Sequence, residues 1–553
     1  MKICKIQKKV QKVIQFSSLG FLLILLMGSC EKDMSPFVLH DNSQPTVNPI
    51  PAPDVIIPLP VSDVPTGKLF TLTKKTNIYI SPDIQALREI GHYLADKLMF
   101  ATGYEIRILP TTLDILPEGS IWLTTKDGNP SLGEEGYELN VTQKSITLFA
   151  FTPCGVFRGI QTLRQIFPSS IEAPTILPGP WQIVTRTIRD YPRFAWRGAM
   201  LDVARHFFSV EDVKHYIDLL AYYKINVLHL HLTDDQGWRI MIESWPDLAI
   251  YGGSREVGGG PGGYYSQAEY ADLVAYAKSR YMMLVPEIDM PGHTNAALAS
   301  YPELNANNVA PPLYTGTHVG FSSLSVHKDI TYTFVSDVIK EVAALTPGPY
   351  IHIGGDEAYL LSDSDYNFFI QKADSIVRSY GKRMVGWEEI ARANISSSSI
   401  SQHWHSSNLA RTAVQKDLKI VMSPATKAYM DMKYNNSTPL GLTWAGYTNV
   451  QDAYTWNPAT QIDGVAENMI MGVEAPLWTE TIQAIDDIEF MTFPRLPGYA
   501  EIGWTPEALR DWDTYKIRLG SHGPKLEVMG INFYYSPLVP WGITDSLAVA
   551  TAR

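Results

Sequence analysis

The sequence predicts an α/β protein: a (β/α)8 TIM barrel that carries the chemistry, preceded by a small α+β domain. Three observations predict this. From Tyr191 onward, eight short apolar runs recur, several of them separated by helical patterns. Each run leads into acids, histidines or tryptophans, and a parallel barrel gathers the C-terminal ends of its strands on one face. Ahead of them, residues 65–190 carry short strand patterns and amphipathic helices with no such endings.

Taken in order, residues 1–30 read as a targeting segment. Lys2, Lys5, Lys8, Lys9 and Lys12 form a basic start, Phe16–Met27 is apolar but short for a bilayer span, and Leu26-Met-Gly-Ser-Cys30 ends it. This resembles a bacterial lipoprotein signal, which implies export, lipidation of Cys30 and attachment to the cell envelope, on its periplasmic or surface face, through that N-terminal lipid only. Residues 31–64 contain Pro36, Pro45, Pro49, Pro51, Pro53, Pro58 and Pro60 and read as an extended spacer. In 65–190, Ile78–Ile80 and Ile121–Leu123 read as strands. Tyr137–Val141 and Ser145–Phe149 read as a hairpin turning at Thr142-Gln-Lys144, and helical spacing marks Leu87–Leu98 and Val156–Phe167. Residues 191–553 hold the barrel. Its strands are expected at Gly198–Val203, Asn226–Leu232, Met282–Ile288, Tyr350–Ile353, Met384–Trp387, Ile400–Trp404, Lys419–Met422 and Met469–Val473, with helices such as Val210–Tyr222, Gln267–Ser279 and Asp329–Ala344 between them.

Composition narrows the partners. The 553 residues carry a net charge of −12, which argues against nucleic acid, since phosphate binding needs a basic face. Thirteen Trp and 29 Tyr supply flat faces of the kind that stack on sugar rings. Of the three cysteines, Cys4 and Cys30 lie in the leader and Cys154 reads as a core residue, so there is neither a disulfide framework nor a zinc spacing. No feature sets an oligomeric state.

The fourth run is the most informative. Tyr350-Ile-His-Ile353 passes into Gly354-Gly355 and then into adjacent acids, Asp356 and Glu357. A strand ends, the backbone turns where no Cβ obstructs it, and two carboxylates emerge side by side. A retaining glycosidase of the ordinary kind needs two carboxyls about 5 Å apart on opposite sides of the anomeric carbon, and an inverting one about 6.5–9.5 Å. Consecutive Cα atoms lie only about 3.8 Å apart, so this pair is poorly placed to flank a ring.

Six motifs together carry a resemblance: Ala204-Arg-His206, His229-Leu-His-Leu-Thr-Asp-Asp-Gln-Gly-Trp238, Pro286-Glu-Ile-Asp-Met-Pro-Gly-His293, Gly354-Gly-Asp-Glu357, Gly386-Trp-Glu-Glu389 and Trp478-Thr-Glu480. Residues 70–540 resemble glycoside hydrolase family 20, the β-N-acetylhexosaminidases. The resemblance implies an exo-acting enzyme that removes terminal GlcNAc or GalNAc from N-acetylhexosamine-terminated glycans. It further implies a retaining, substrate-assisted reaction, in which the 2-acetamido oxygen attacks the anomeric carbon and forms an oxazolinium ion. Glu357 is then general acid and later base, and Asp356 orients the acetamide. Arg205 and Glu480 resemble the residues that bind sugar hydroxyls, and Asp234 and His293 those that support the acid. Trp387, Trp404 and Trp444 resemble the aromatic box around the acetamide methyl, and Tyr429 the hydroxyl on its oxygen. Asp431 shares the Tyr429 loop, and Trp478 resembles the ring under the sugar. Two close acids are expected to resist double ionisation and so help keep Glu357 protonated.

Two other signals carry less. Gly258–Gly263 matches a dinucleotide glycine pattern but does not directly follow a strand and contains Pro261, so it reads as a flexible loop. The pairs His229/His231 and His403/His405 share strand faces as metal ligands would, but their flanks match the glycosidase motifs, and no metal or other cofactor is expected. Two alternatives remain open at this point. One is a lacto-N-biosidase-like variant that releases a disaccharide. The other is a non-catalytic surface glycan-binding lipoprotein, against which the intact Asp356 and Glu357 argue.

Overall fold

The computed structural model describes residues 55–113 and 115–542. The leader with Cys4 and Cys30, most of the stretch read as a spacer, and the last eleven residues lie outside the described residues. No helix among the described residues is long and apolar enough to cross a membrane.

The small domain starts earlier than expected. Val55, Ile56 and Ile57 are buried, so the tail of the 31–64 stretch is folded chain and not spacer. Gln165 clasps Ile57 through both ends of its amide, at 2.9 and 2.8 Å, and the Val55 carbonyl lies 2.6 Å from His522 Nε2. Strand β1 (Ser62–Thr71) follows directly. In chain order come β2 (Ile78–Ile80), β3 (Ile108–Pro110), β4 (Ser120–Thr124), β5 (Tyr137–Val141), β6 (Ser145–Ala150) and β7 (Gln182–Asp190). Of these, β2, β4, β5 and β6 are the expected strands, and β1, β3 and β7 add to them. Together they form one mixed sheet in the order β1-β7-β5-β6-β4-β2-β3. The two expected helices, Gln85–Thr102 and Pro153–Ile166, bury apolar stripes against the same core.

All eight barrel strands occur where the apolar runs predict. The first two are β8 (Trp196–Asp202) and β9 (Val227–His231). A short ribbon above β9 pairs β10 (Thr233–Asp234) with β11 (Gly237–Trp238). The barrel continues with β12 (Met283–Glu287), β13 (Tyr350–His352), β14 (Arg383–Trp387), β15 (Ile400–His403), β16 (Lys419–Met422) and β17 (Ile470–Leu477). Neighbours in the barrel are parallel throughout, and β17 pairs with β8 to close it. The outer helices start on side-chain caps: Ser209 and Ser266 form reciprocal capping boxes with Asp212 and Glu269.

Alternate strand residues face the barrel axis, so the interior changes character from floor to mouth. At the floor, Trp196, Val227, Val285, Val385, Ile400 and Val421 form an apolar plug. Two residues on along three of these strands, the interior is polar: His229, Glu287 and Gln402, joined by Glu474. One step further, the strand ends open into the candidate site.

The small domain is fastened to the floor by buried charge. Glu135 pairs with Arg158 at 2.9 Å and Arg197 at 2.5 Å and accepts from Asn226 Nδ2 at 3.1 Å. Lys224 Nζ donates to Asp190 and Tyr137, both at 3.0 Å. Burial pushes the Glu135 carboxyl up, but the two arginines outweigh burial and bring it down to about 2. A depressed acid contributes stability that is present above its unfolded pKa, near 4.3, and lost as pH falls toward about 2; here that amounts to about 3 kcal/mol. Glu135→Gln is therefore expected to lower the melting temperature by a few degrees at pH 7, with the gap to wild type closing as pH approaches 2. Thermal melts across that range check this, and a gap independent of pH would contradict it.

Candidate active site

The site is built from the ends of the barrel strands. After β8, the Asp202 carboxylate accepts the N–H groups of Ala204 (2.8 Å) and Arg205 (3.1 Å), curling the chain inward. Its other oxygen accepts Thr479 N–H at 3.1 Å, which ties β8 to the end of β17. Arg205 is thereby aimed across the mouth. Its guanidinium lies 2.8 Å from Asp234 and 4.8 Å above the Trp478 ring.

Asp234, on the ribbon above β9, is the meeting point of three cations. It pairs with Arg205, with His231 Nε2 at 2.9 Å and with His293 Nδ1 at 3.1 Å. Burial raises the Asp234 carboxyl, and these cations outweigh it and hold the group well below the ordinary range. The far nitrogen of His293, Nε2, reaches toward both acids of the fourth strand end, 3.6 Å from Asp356 and 3.4 Å from Glu357. Burial works against a charge on His293, but Asp234 and Asp356 outweigh it and keep the imidazole protonated.

The glycines before the acids are required by geometry. Gly354 and Gly355 have φ of +66° and +96°, and a Cβ on Gly354 would stand 1.7 Å from Asp289 Oδ1. That carboxylate accepts Gly355 N–H at 3.2 Å, and Tyr366 Oη donates to the Gly355 carbonyl at 2.6 Å. The turn delivers Asp356 buried. Glu357 has a φ of +46°, a strained conformation for a residue with a Cβ, and stands nearer the opening.

The proton distribution differs from the sequence expectation. Burial, with Glu357 and Glu287 adding to it, pushes the Asp356 carboxyl up to about 6 against the pull of His293. Burial also raises Glu357, but the contact and charge of His293, then Tyr359 and Arg205, outweigh it and leave this acid below its ordinary value. In the free site Glu357 is thus the more acidic of the two. The proton it would deliver is held next door, on His293.

The aromatic residues line the other side. Trp387, fully buried, donates Nε1–H to Glu287 at 3.0 Å and lies 5.8 Å from the Trp478 ring. Trp404 donates to Glu389 at 3.2 Å. Tyr429 is buried, 5.8 Å from Trp444 and 6.4 Å from Trp478. Trp444 touches Trp404 at 6.0 Å but is 53% exposed, so it stands at the rim and not in an enclosed box. Asp431 and Glu480 are deep, and burial raises both carboxyls. Both Asp431 oxygens, Glu480 Oε2, Arg205 Nε and Asp356 Oδ1 are buried with no hydrogen-bond partner, an arrangement that suits a polyhydroxylated ligand.

Beneath these side chains lies a residue that the sequence reading noted at a strand end but did not place in the site. Glu287 approaches His231 Nδ1 at 2.5 Å, His229 Nε2 at 3.0 Å, His352 Nδ1 at 2.9 Å and Trp387 Nε1 at 3.0 Å. One carboxylate thus joins the Trp387 wall to the His231–Asp234–His293 chain. His229, Glu287 and His352 are close enough together to hold a metal ion. However, His229 bridges Glu287 and Glu474 (2.8 Å), whose charges outweigh burial and raise it to about 9. Both of its nitrogens face carboxylates, so a metal held here would have to displace the protons those carboxylates favour. Glu389, which burial with Asp356 and Glu388 raises to about 8, was also outside the expected set, as was Tyr359, whose Oη donates to Glu357 at 3.1 Å. Cys154 lies on the small-domain side of the floor, and burial pushes its thiol up to about 11, which keeps it inert.

Comparison with known proteins covers both the small domain and the barrel. A family model described as "Glycosyl hydrolase family 20, catalytic domain" matches residues 194–367 and 361–507, and one described as "Glycosyl hydrolase family 20, domain 2" matches 54–191. A "Beta-N-acetylhexosaminidase" of Cellulomonas fimi is 39% identical over 500 residues, covering 88% of this chain and 98% of that protein. The structure of a GH20 beta-N-acetylhexosaminidase from Streptomyces coelicolor A3(2) superposes with a TM-score of 0.86 at 50% identity, covering 90% of this chain and 100% of that one. A Streptomyces plicatus N-acetyl-beta-hexosaminidase in complex with Thio-NAglucal does so with a TM-score of 0.86 at 51% identity, covering 90% and 99%.

Proposed function

The chain belongs to glycosyl hydrolase family 20 and is a β-N-acetylhexosaminidase, and from that premise we propose that it removes single terminal GlcNAc or GalNAc units by a retaining, substrate-assisted reaction. The observation that carries the mechanism is the convergence of both acids on one nitrogen, His293 Nε2, at 3.6 and 3.4 Å. Consecutive residues delivered by one turn, their Cα atoms about 3.8 Å apart, are poorly placed to flank a sugar ring from opposite faces. The nucleophile is then the substrate's own acetamide oxygen.

The division of labour follows from position. Asp356 accepts the acetamide N–H, which orients the amide and favours the ionised carboxylate over the protonated one. Sugar binding removes water from Glu357 and raises its affinity for the proton held by His293, 3.4 Å away. Glu357 protonates the leaving oxygen while the acetamide oxygen closes on the anomeric carbon, and Asp356 stabilises the positive oxazolinium ion. Glu357, now ionised, takes a proton from water as it opens that ring, giving a product with the starting anomeric configuration. Trp387 and Trp478 enclose the acetamide and the ring, while Arg205, Asp431 and Glu480 hold hydroxyls through the atoms that lack partners.

A series of aryl glucosaminides with increasingly fluorinated N-acetyl groups tests this. The rate is expected to fall steeply as the amide oxygen becomes a weaker nucleophile. A flat series would exclude the acetamide as nucleophile, and an inverted anomer among the products would exclude the two-step path.

A further inference from the structure

One side chain that touches the acid has no role in the scheme above. The chain turns sharply after Glu357: its carbonyl accepts the N–H of Tyr359 at 2.7 Å, and the Tyr359 hydroxyl donates to Glu357 Oε1 at 3.1 Å. The other carboxylate oxygen, Oε2, faces His293. The acid is therefore clamped between a buried imidazole and a phenol that is 71% exposed.

Exposure here does not mean freedom. Gly320, on the loop that leads to helix Asp329–Leu345, closes on the Cδ2–Cε2 edge of the Tyr359 ring. Its φ is +74°, and a Cβ there would stand 2.3 Å from Tyr359 Cδ2 and 3.2 Å from the Glu357 carbonyl oxygen. The loop is braced in turn. Ser322 Oγ donates to Asp235 at 2.5 Å, Gln236 Nε2 to the Gly316 carbonyl at 2.8 Å, and Gly258 N–H, from the glycine-rich stretch, to the Thr315 carbonyl at 2.8 Å. That stretch is held by Arg239, whose guanidinium donates to the carbonyls of Gly253 (2.8 Å), Arg255 (2.8 Å) and Gly263 (3.1 Å). The glycines that look like a flexible loop in sequence are part of this brace.

The ring also stands in a telling place. In the scheme above, Trp387 and Trp478, their rings 5.8 Å apart, enclose the sugar that is cleaved off. The bond that Glu357 protonates leads away from them, and Tyr359 is the exposed aromatic face in contact with the acid. Tyrosine is well suited to such a position, with an apolar body to stack on and a polar tip.

We propose that Tyr359 is the positioning and specificity residue on the leaving-group side: its hydroxyl orients the Glu357 carboxyl, and its ring, pinned by Gly320, is the face on which the first sugar of the leaving group stacks. This rests on the assignment of Glu357 as the acid. The ligand it selects is thus a pyranose ring joined through the scissile oxygen, as opposed to a small alkyl leaving group.

Kinetics of Tyr359→Phe and Tyr359→Ala on N,N′-diacetylchitobiose and on methyl N-acetyl-β-glucosaminide test it, since only the first has a ring in the leaving group. Both variants are expected to move the high-pH limb of kcat/KM to higher pH, because a hydrogen bond to the ionised acid is lost. Tyr359→Ala is further expected to raise KM for the disaccharide about tenfold over Tyr359→Phe, while the two agree on the methyl glycoside. Gly320→Ala, which displaces the ring, is expected to share the disaccharide defect. Equal KM values for the two Tyr359 variants on the disaccharide, or an unmoved limb, would overturn the proposal. Failure of the wild type to cleave either substrate would instead count against the function proposed above.

Discussion

Glu357→Gln is expected to lower kcat/KM on N,N′-diacetylchitobiose by about 10²–10⁴-fold, the usual contribution of a positioned general acid. The size of the loss depends on the leaving group. A sugar alkoxide needs the proton, so the first step collapses. A dinitrophenolate leaves unaided, so an aryl glycoside with that group retains most of its first-step rate in the variant. The second step still lacks its base, so the aryl substrate is expected to show a burst followed by slow turnover. The amide that replaces the carboxyl would also accept no proton from His293, so the high-pH limb of kcat/KM, which reports the acid, is expected to vanish. Steady-state and rapid-mixing measurements on the two substrates check this. Equal losses on both would mean that Glu357 does not deliver the proton.

Glu287→Gln is expected to have the largest effect on stability. The carboxylate lies within 2.5–3.0 Å of four ring nitrogens. An amide has one acceptor oxygen, and its NH2 end would face N–H groups. The change also strips a counter-charge from two buried imidazoliums, His229 and His231, which Glu287 together with Glu474 or Asp234 holds above the ordinary histidine range against the cost of burial. Removing one partner of a buried ion pair typically costs about 3–5 kcal/mol. The pH dependence has a definite sign. Raised histidines contribute stability that is fully present below their unfolded pKa, near 6.5, and is lost as pH rises toward their folded values, about 9 for His229. Glu287 itself is held low, against the effect of burial, by His352, His231 and His229, so its contribution is present above about 4.3. The gap between wild type and variant is therefore expected to be widest between about pH 4.5 and 6.5 and to shrink toward pH 9. Urea unfolding at pH 5.5 and 9 measures it, and a gap that grows with pH would rule out the charged-histidine account. Activity is expected to fall as well, since Trp387 and the relay to His293 lose their common support.

The barrel was legible in the sequence because its strands are buried on both faces. Runs such as Asn226–Leu232 and Lys419–Met422 have no solvent side to interrupt them, and all eight were found. The acids were legible because they follow those runs directly. Strands β1 and β7 were not. β1 is mostly exposed or half-buried and lies beside the prolines of the supposed spacer, and the second half of β7 carries Arg186, Arg189 and Asp190. The roles of single side chains were harder still. The ionisation of Glu357 is set by His293, which arrives from a different strand end, and no local pattern reports that approach. Likewise, Trp444 and Trp387 look equivalent as letters, yet one is half in solvent and the other fully enclosed. Tyr359 lies two residues from the acid and was overlooked because a tyrosine after a turn is common. Its significance comes from Gly320, which is distant in sequence.

The way the chain joins the fold at Val55 has a practical side. Ile57 is clasped by Gln165, whose amide also donates to the carbonyl of Tyr222, at the end of the helix that leads into β9; Leu59 accepts from Thr505, just past the helix that packs under β8. These are all floor positions, at the opposite pole from the strand ends that hold Asp356 and Glu357. The described chain therefore enters the fold at Val55 on the floor side, away from the mouth. A substitution that loosens this entry, such as Gln165→Ala, acts on the barrel floor and leaves the strand ends that hold Asp356 and Glu357 untouched.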